Sequence, residues 1–314
     1  MRYARTMSPR IAVVIPCYNE AVAIGAVVAA FRTALPMAAI HVYDNNSQDE
    51  TGAIASAAGA VVQREMRQGK GHVVRRAFAD VDADVYVLVD GDGTYDAAAA
   101  PAMVDLLLRD QLDMVNGARQ DQAAAAYRPG HRFGNAMLTY LVGSVFGRDV
   151  SDMLSGYRVF SRRFVKSFPA LSSGFETETE FTVHALELGM PIAEVTTAYA
   201  ERPAGSASKL RTIRDGIRIL RTIIQLVKDE RPLAFFGVAA LVLLLLGMGL
   251  GATVAIEFMR TGLVPRLPTA LLASTLVLLA ALALACGFVL DSVARGRKEL
   301  KRMAYLAIPL LARP

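Results

Sequence analysis

Two uncharged apolar runs near the C-terminal end constrain this chain more than any other feature. Residues 233–256 and 269–290 contain no Asp, Glu, Lys or Arg. As helices they would extend roughly 33–36 Å, enough for a hydrocarbon core of about 30 Å. A buried core helix is the competing reading, but both runs exceed about 18 residues and they come as a pair. Residues 257–268 join them, which predicts a hairpin with both chain ends on one side. Arg211, Arg214, Arg218, Arg221, Lys228 and Arg231 precede the first run; Arg295, Arg297, Lys298, Lys301 and Arg302 follow the second. The joining segment has only Arg260 and Arg266. Basic flanks stay on the cytoplasmic side, so the expectation is a multi-pass protein of the cytoplasmic (inner) membrane with its N-terminal part and both termini in the cytoplasm.

The runs also explain why apolar residues reach 54%. The net charge of +5 raises the question of nucleic acid. Because the basic residues gather beside the apolar runs, anionic lipid headgroups account for them, and no nucleic-acid partner is expected. The N-terminus is basic, but the apolar stretch 11–16 is too short for an export signal and reads as a strand. The two cysteines, Cys17 and Cys286, have no metal-site spacing and fit a reducing compartment.

Residues 1–210 alternate strand and helix patterns. Strands are expected at 11–16, 40–43, 60–63 and 85–89 and from 114 onward, with helices at 20–35, 49–58, 70–79 and 97–109. That alternation predicts an α/β fold with a mostly parallel sheet flanked by helices. Residues 211–228 have amphipathic helical spacing with interleaved arginines, which suits a juxtamembrane helix in the interface plane or one packed on the domain core. Residues 133–146 are apolar on nearly every face and read as an interfacial or core helix. The expected organisation is a catalytic domain at 1–210, the amphipathic helix at 211–232, the hairpin at 233–292 and a basic tail at 293–314.

Ligands of parallel sheets bind beyond the carboxyl ends of the strands. Three of those ends are polar here. Pro16, Cys17, Tyr18, Asn19 and Glu20 follow the first; the segment 44–51 follows the second. Asp90, Gly91 and Asp92 follow the apolar strand at 85–89. Two carboxylates one residue apart at the end of a buried strand are costly without a neutralising cation. Their hard oxygens suit Mg²⁺ or Mn²⁺, ions that complete their shells with water and substrate phosphate. An Asp-x-Asp pair alone is common in acidic turns, so the weight lies on the convergence of several strand ends.

The ordered set VVIPCYNE (13–20), DNNSQDET (44–51), GKG (69–71) and DGD (90–92) resembles family 2 glycosyltransferases of the GT-A, Rossmann-like fold. GAR (117–119), RFGN (132–135), DMLSGYRVFSRR (152–163), GFETETEF (174–181) and RPAGSASKL (202–210) resemble the polyprenyl-phosphate hexosyltransferase branch. That branch includes dolichyl-phosphate mannose synthase and the bacterial undecaprenyl-phosphate glucosyltransferases. The resemblance covers roughly residues 10–230. It implies a nucleotide-sugar donor, a polyprenyl phosphate acceptor, contact with membrane lipids and a homo-oligomer, a tetramer among relatives.

The resemblance also implies residue roles. Pro16, Tyr18, Glu20 and Asp44 surround base and ribose, with Asn46 a further donor-binding candidate. Asp90 and Asp92 hold metal and diphosphate. From its own place between Gly69 and Gly71, Lys70 either reaches the diphosphate or belongs to a helix-start turn. Arg202, Ser206 and Lys209 fall in a lid over the donor phosphates. Arg119 and Arg132 contact the acceptor phosphate, with Arg128 a weaker candidate. Asp152 orients the site or positions Arg158. Glu176, Glu178 and Glu180 alternate as on a strand or loop, and Glu178 either lines the sugar pocket or sits on a solvated edge. Some relatives carry a further metal ligand two residues after the second Asp; here that position is Thr94, which implies fewer protein ligands. The competing reading is a transferase with a different acceptor, or a sugar-nucleotide binder without catalysis.

Overall fold

A computed structural model describes residues 8–121, 151–171, 176–200, 224–225 and 227–310. The first elements alternate strictly: β1 (Ile11–Cys17), α1 (Ile24–Ala34), β2 (Ala39–Asp44), α2 (Thr51–Ala57), β3 (Val61–Arg64), α3 (Lys70–Asp80) and β4 (Val85–Leu88). A short 3₁₀ turn at Ala97–Ala99 leads into α4 (Ala100–Arg109), then β5 (Met114–Asp121). After 151 come β6 (Arg158–Ser161), α5 (Arg162–Ser167), α6 (Thr177–Leu188) and β7 (Ile192–Tyr199). The seven strands form one sheet in the order β3-β2-β1-β4-β6-β5-β7. Only β6 runs antiparallel to its neighbours.

Both faces of the sheet are covered, and strand periodicity of two explains how. Val13, Ile15, Val85 and Val87 point to the side packed by α1 and α4, through Val27, Val28, Phe31, Met103 and Leu107. Ala12, Val14, Tyr86 and Leu88 point to the other side, against Val73, Val74 and Phe78 of α3 and an aromatic group from β6, α5 and its C-terminal end, and α6. In that group Phe160 and Phe164 stack with ring centroids 4.4 Å apart, and Phe168 lies 4.9 Å from Phe181.

Two local expectations change. Helix α1 begins at Ile24, because residues 20–23 form the turn that enters it, with Ile24 N donating to Glu20 O at 2.9 Å. The alternating glutamates after 175 belong to helix α6 and its cap, not to a strand or loop. Helix α6 is buried along nearly all its length, so it shows no amphipathic period. In helical geometry Glu176 and Glu180 share a face and Glu178 lies apart from them.

The chain divides into two compact units, Met1–Ile219 with Lys301–Pro314, and Leu220–Leu300. The second unit is built on α7 (Pro232–Thr261) and α8 (Leu267–Leu306), both long and apolar enough to cross a membrane. Ala240 and Gly247 of α7 and Ala273, Ala280 and Gly287 of α8 are the buried residues of the apolar stretches, spaced by sevens. A Cβ on Gly247 would meet Val277, Ala273 and Leu276 at 3.0–3.1 Å, and one on Gly287 would meet Phe236 at 3.2 Å. These contacts make the pair an antiparallel hairpin packed through small residues, the usual solution where lipid removes the hydrophobic drive. Helix α8 continues to Leu306, so most of the expected basic tail is helical. Within the first unit, Tyr305 donates to the buried Asp113 at 2.7 Å and its ring lies 4.4 Å from the Arg163 guanidinium.

Candidate functional site

The carboxyl ends of β1, β2, β3, β4 and β5 share one edge of the sheet, and antiparallel β6 begins there. The loops after β1 and β2 fasten to each other. Asn45 N donates to Cys17 O (2.8 Å), Gln48 N to the Asn19 side chain (2.7 Å), and Glu20 N to Thr51 Oγ1 (2.8 Å). Asn19 and Asn46 take positive φ, 52° and 65°, which asparagine tolerates better than most residues. Asp44 accepts from Ser47 N at 3.0 Å. Pro16, Tyr18 and Asp44 are partly buried here and Glu20 is buried.

Asn45, which the motif reading passed over, is a staple. Its Nδ2 donates to Glu65 O and Arg67 O at 2.9 and 2.8 Å, and its Oδ1 accepts from Gly69 N at 2.7 Å. It ties the end of β2 to the segment that starts α3. Asn46 adds one bond, Nδ2 to Met66 O at 2.7 Å. Gly69 caps α3 at φ 133°, a conformation reserved for glycine, and this sets the direction in which Lys70 leaves the helix start.

Lys70 turns inward. Its Nζ lies 2.5 Å from Asp90 Oδ1 and 2.6 Å from Glu178 Oε1, and its side chain is 7% exposed. Glu178 enters from the first turn of α6 and is buried; its Oε2 has no hydrogen-bond partner among the described residues. Burial pushes the Glu178 carboxyl up, against the pull of Lys70. Burial works to lower the Lys70 ammonium, but the charges of Asp90 and Glu178 prevail and raise it.

Asp90 and Asp92 follow β4 as expected. Asp92 is buried and accepts from Thr94 N (3.1 Å) and Thr94 Oγ1 (2.6 Å), so Thr94 braces the carboxylate. Gly91 lies so close to Cys17 Sγ, and Gly156 so close to the Asp90 carboxylate, that a Cβ at either would collide. Tyr95 OH accepts from Gly156 N at 2.8 Å, which fixes the loop before β6 against the segment after β4. Two hard carboxylates suit Mg²⁺ or Mn²⁺ that retain water and substrate phosphate. Among the described residues no group of three or more His, Cys, Asp or Glu side chains is arranged to hold a metal ion. Asp90 and Asp92 are carboxylates of the type such a cation takes, and in this structure one is met by Lys70 and the other by Thr94.

Asp152 meets Arg119. The guanidinium binds its carboxylate through both Nε (2.7 Å) and an Nη (2.8 Å), with side chains 13% and 9% exposed. Burial pushes the Asp152 carboxyl up, but Arg119 outweighs it and holds it below the usual range. Arg119 also lies 5.5 Å from the Tyr199 ring. Arg158, the residue that Asp152 was expected to position if it did not orient the site, directs its hydrogen bonds elsewhere. It is fully buried and donates to Met153 O (2.8 Å), Ser155 O (3.1 Å) and Thr182 Oγ1 (2.8 Å). Burial pushes it down to about 10, with Glu178 and Asp152 opposing. Arg158 thus joins the loop that carries Asp152 to the helix that carries Glu178.

The structure brings together Lys70, Asp90, Glu178 and Gly156, sets Asp92 beside Asp90, and pairs Arg119 with Asp152 at the same edge. Arg128, Arg132, Arg202, Ser206 and Lys209 lie outside the described residues, as does most of 211–228. Of the residues that sequence reasoning missed, Asn45 sits inside DNNSQDE and Tyr95 three residues after Asp92; their neighbours were the only signal.

The chain is similar to several known proteins. Glycosyltransferase AglJ of Haloferax volcanii is 34% identical over 249 residues, 79% of this chain and 82% of that protein. Dolichyl-phosphate hexose transferase of the same organism is 32% identical over 221 residues, 70% of this chain and 95% of that protein. Glucosyl-3-phosphoglycerate synthase from Mycobacterium tuberculosis, solved with Mn²⁺, UDP and glucosyl-3-phosphoglycerate, superposes with a TM-score of 0.56 at 24% identity. That match covers 70% of this chain and 80% of the solved one, and it shows a shared GT-A fold. Residues 12–168 match the family described as glycosyl transferase family 2, and with the strand-end carboxylates in place the chain belongs to that family.

Proposed function

We propose that this protein transfers a hexose, with inversion, from a UDP- or GDP-linked sugar to a polyprenyl phosphate such as undecaprenyl phosphate at the cytoplasmic face of a membrane. One observation carries the reading: the Asp90/Asp92 carboxylates and the Arg119–Asp152 pair share a sheet edge in a chain that also has two membrane-length apolar helices. The relative named dolichyl-phosphate hexose transferase supports the acceptor class.

The acceptor explains the absence of any need for a strong base. A phosphate monoester loses its second proton near pH 6 and is already a nucleophile at neutral pH. The chain's task is to bring two anions together and keep water away. Arg119, Arg132 and Arg128 offset the acceptor phosphate, since guanidinium pairs bidentately with phosphate and stays charged. Asp152 holds the Arg119 fork in place and is not itself a base, being ionised and committed to the pair. Pro16, Tyr18, Glu20, Asp44 and Asn46 hold base and ribose; Lys70, Arg202, Ser206 and Lys209 hold the diphosphate. Asp90 and Asp92 would bind Mg²⁺ or Mn²⁺, which when bound offsets charge on the departing diphosphate.

A transfer assay tests the proposal. Purified protein in detergent is given undecaprenyl phosphate, Mn²⁺ or Mg²⁺, and radiolabelled UDP- and GDP-sugars, and the organic phase is counted. Label from one donor supports the reaction and names the sugar. Asp92→Ala should reduce transfer at least ~100-fold, on the scale of losing a charge-stabilising group, with the fold retained. Nucleotide binding with no label in lipid would move the acceptor to another class.

A further inference from the structure

The contacts of Lys70 reach beyond holding a diphosphate. A divalent cation ligated by Asp90 would share that carboxylate with an ammonium 2.5 Å away. The ammonium is buried, so water does not screen it. It also has a second partner close by, Glu178 at 2.6 Å, and Glu178 keeps one buried oxygen without a hydrogen bond among the described residues. The backbone under Lys70 is fixed by Gly69 at φ 133° and by the Asn45 staple, so the freedom left to it is that of its own four-carbon stem. Lys70 sits at the start of α3, whose first turn has no side-chain cap, and helix starts of this kind attract phosphate.

We infer that Lys70 is a built-in counter-ion for the carboxylate pair: it competes with the divalent cation for Asp90, and an arriving diphosphate draws it off, so that cation and nucleotide bind cooperatively. The inference rests on the reading that Asp90 and Asp92 bind the metal. The coupling is reciprocal, as any thermodynamic coupling must be. Cation affinity is low while the ammonium is seated on Asp90 and rises when a nucleoside diphosphate offers the ammonium another anion. Glu178 is the other half of the device, because it keeps the ammonium in the site when Asp90 is taken. The functional consequence is that the carboxylates favour a cation accompanied by donor over a cation alone.

The experiment is Mn²⁺ binding to the full chain in detergent, read by calorimetry and by the electron paramagnetic resonance of free Mn²⁺, with and without saturating UDP (GDP if UDP does not bind). Lys70→Met should bind Mn²⁺ alone about tenfold more tightly than wild type, since one close positive charge in a poorly screened site is gone. The factor by which nucleotide strengthens Mn²⁺ binding should shrink in the same variant. Lys70→Gln, a neutral polar replacement, is the second variant if methionine is not accommodated, and thermal unfolding checks that each is folded. Unchanged Mn²⁺ affinity in the folded variants, with Mn²⁺ still lost in Asp92→Ala, overturns the role of Lys70 and leaves the metal site standing. Mn²⁺ binding that is absent from wild type even with saturating nucleotide, or indifferent to Asp92→Ala, overturns the metal site and this inference with it.

Discussion

At the scale of single residues, the site depends on close approaches that only glycine permits. Gly156 sits against the Asp90 carboxylate, where a methyl group has no room. Gly156→Ala should therefore push Asp90 aside while leaving both hydrophobic layers intact. A displacement of about 1 Å can cost up to ~100-fold in rate. The expected result is a loss of transfer and of Mn²⁺ affinity of tenfold or more with little change in melting temperature. A parallel drop in melting temperature would mean that the loop before β6, not the carboxylate, had moved. The carboxylates themselves were legible from the sequence because they end a strand of continuous apolar residues. Their partners were less so: Lys70 was visible in GKG, but its bridge to Glu178 joins residues 108 positions apart, and no local spacing encodes it.

Among the elements, helix α6 was the hardest to foresee. Its glutamates and threonines alternate, yet Thr177, Glu178, Thr179, Thr182 and His184 are all buried. A polar helix can be buried only if its side chains find partners, and here they find Lys70, Arg158 and Ser167. His184 is the titrating member. Burial, with Lys301 nearby, lowers it to about 3 from an ordinary 6.5. A base whose folded-state value is depressed stabilises the fold fully above its unfolded value, and that contribution is lost as pH falls from about 6.5 toward 3. Each pH unit in that window costs about 1.4 kcal/mol at most for one proton. Between pH 7 and pH 5 the sheet unit should lose stability, and His184→Gln should lose about 1–2 kcal/mol less over the same interval. Denaturant titrations of both proteins at the two pH values measure it; equal losses would remove His184 as the cause. Strands β1 to β4 and the start of β5, by contrast, were readable within one or two residues, because β1 and β4 are apolar on both faces and bounded by polar ends, whereas β6 and β7 were not foreseen.

For the molecule as a whole, the hairpin offers a test with its own control. Gly247 and Gly249 lie in the same helix two positions apart. A side chain at Gly247 meets Ala273, Leu276 and Val277, whereas nothing lies within 4 Å of a Cβ at Gly249. Gly247→Leu should force the helices apart at a cost of about 1–3 kcal/mol, as overpacking does, and lower the yield of monodisperse protein. Gly249→Leu should behave as wild type in size-exclusion and thermal assays. Equal damage from both would mean that each glycine faces a packed neighbour. The two apolar helices were plain in the sequence because lipid demands length and neutrality together. The docking of Tyr305 on Asp113 was not, since a tail rich in Lys and Arg gives no local sign of a buried hydroxyl contact.

The reversed strand β6 also orders events in time. It lies between β4 and β5, which are not paired with each other in the sheet. As the chain leaves the ribosome, β1 to β3 emerge with β4 and can pair among themselves early, while the second edge of β4 stays open until β6 arrives. β5 emerges before β6, the strand that links it to them, and must wait for about forty more residues of chain; β7 comes later still and attaches to β5. Strand β5, which carries Arg119, thus cannot join the earlier strands until β6 arrives, and a slow codon or a chaperone acting in that interval would affect yield.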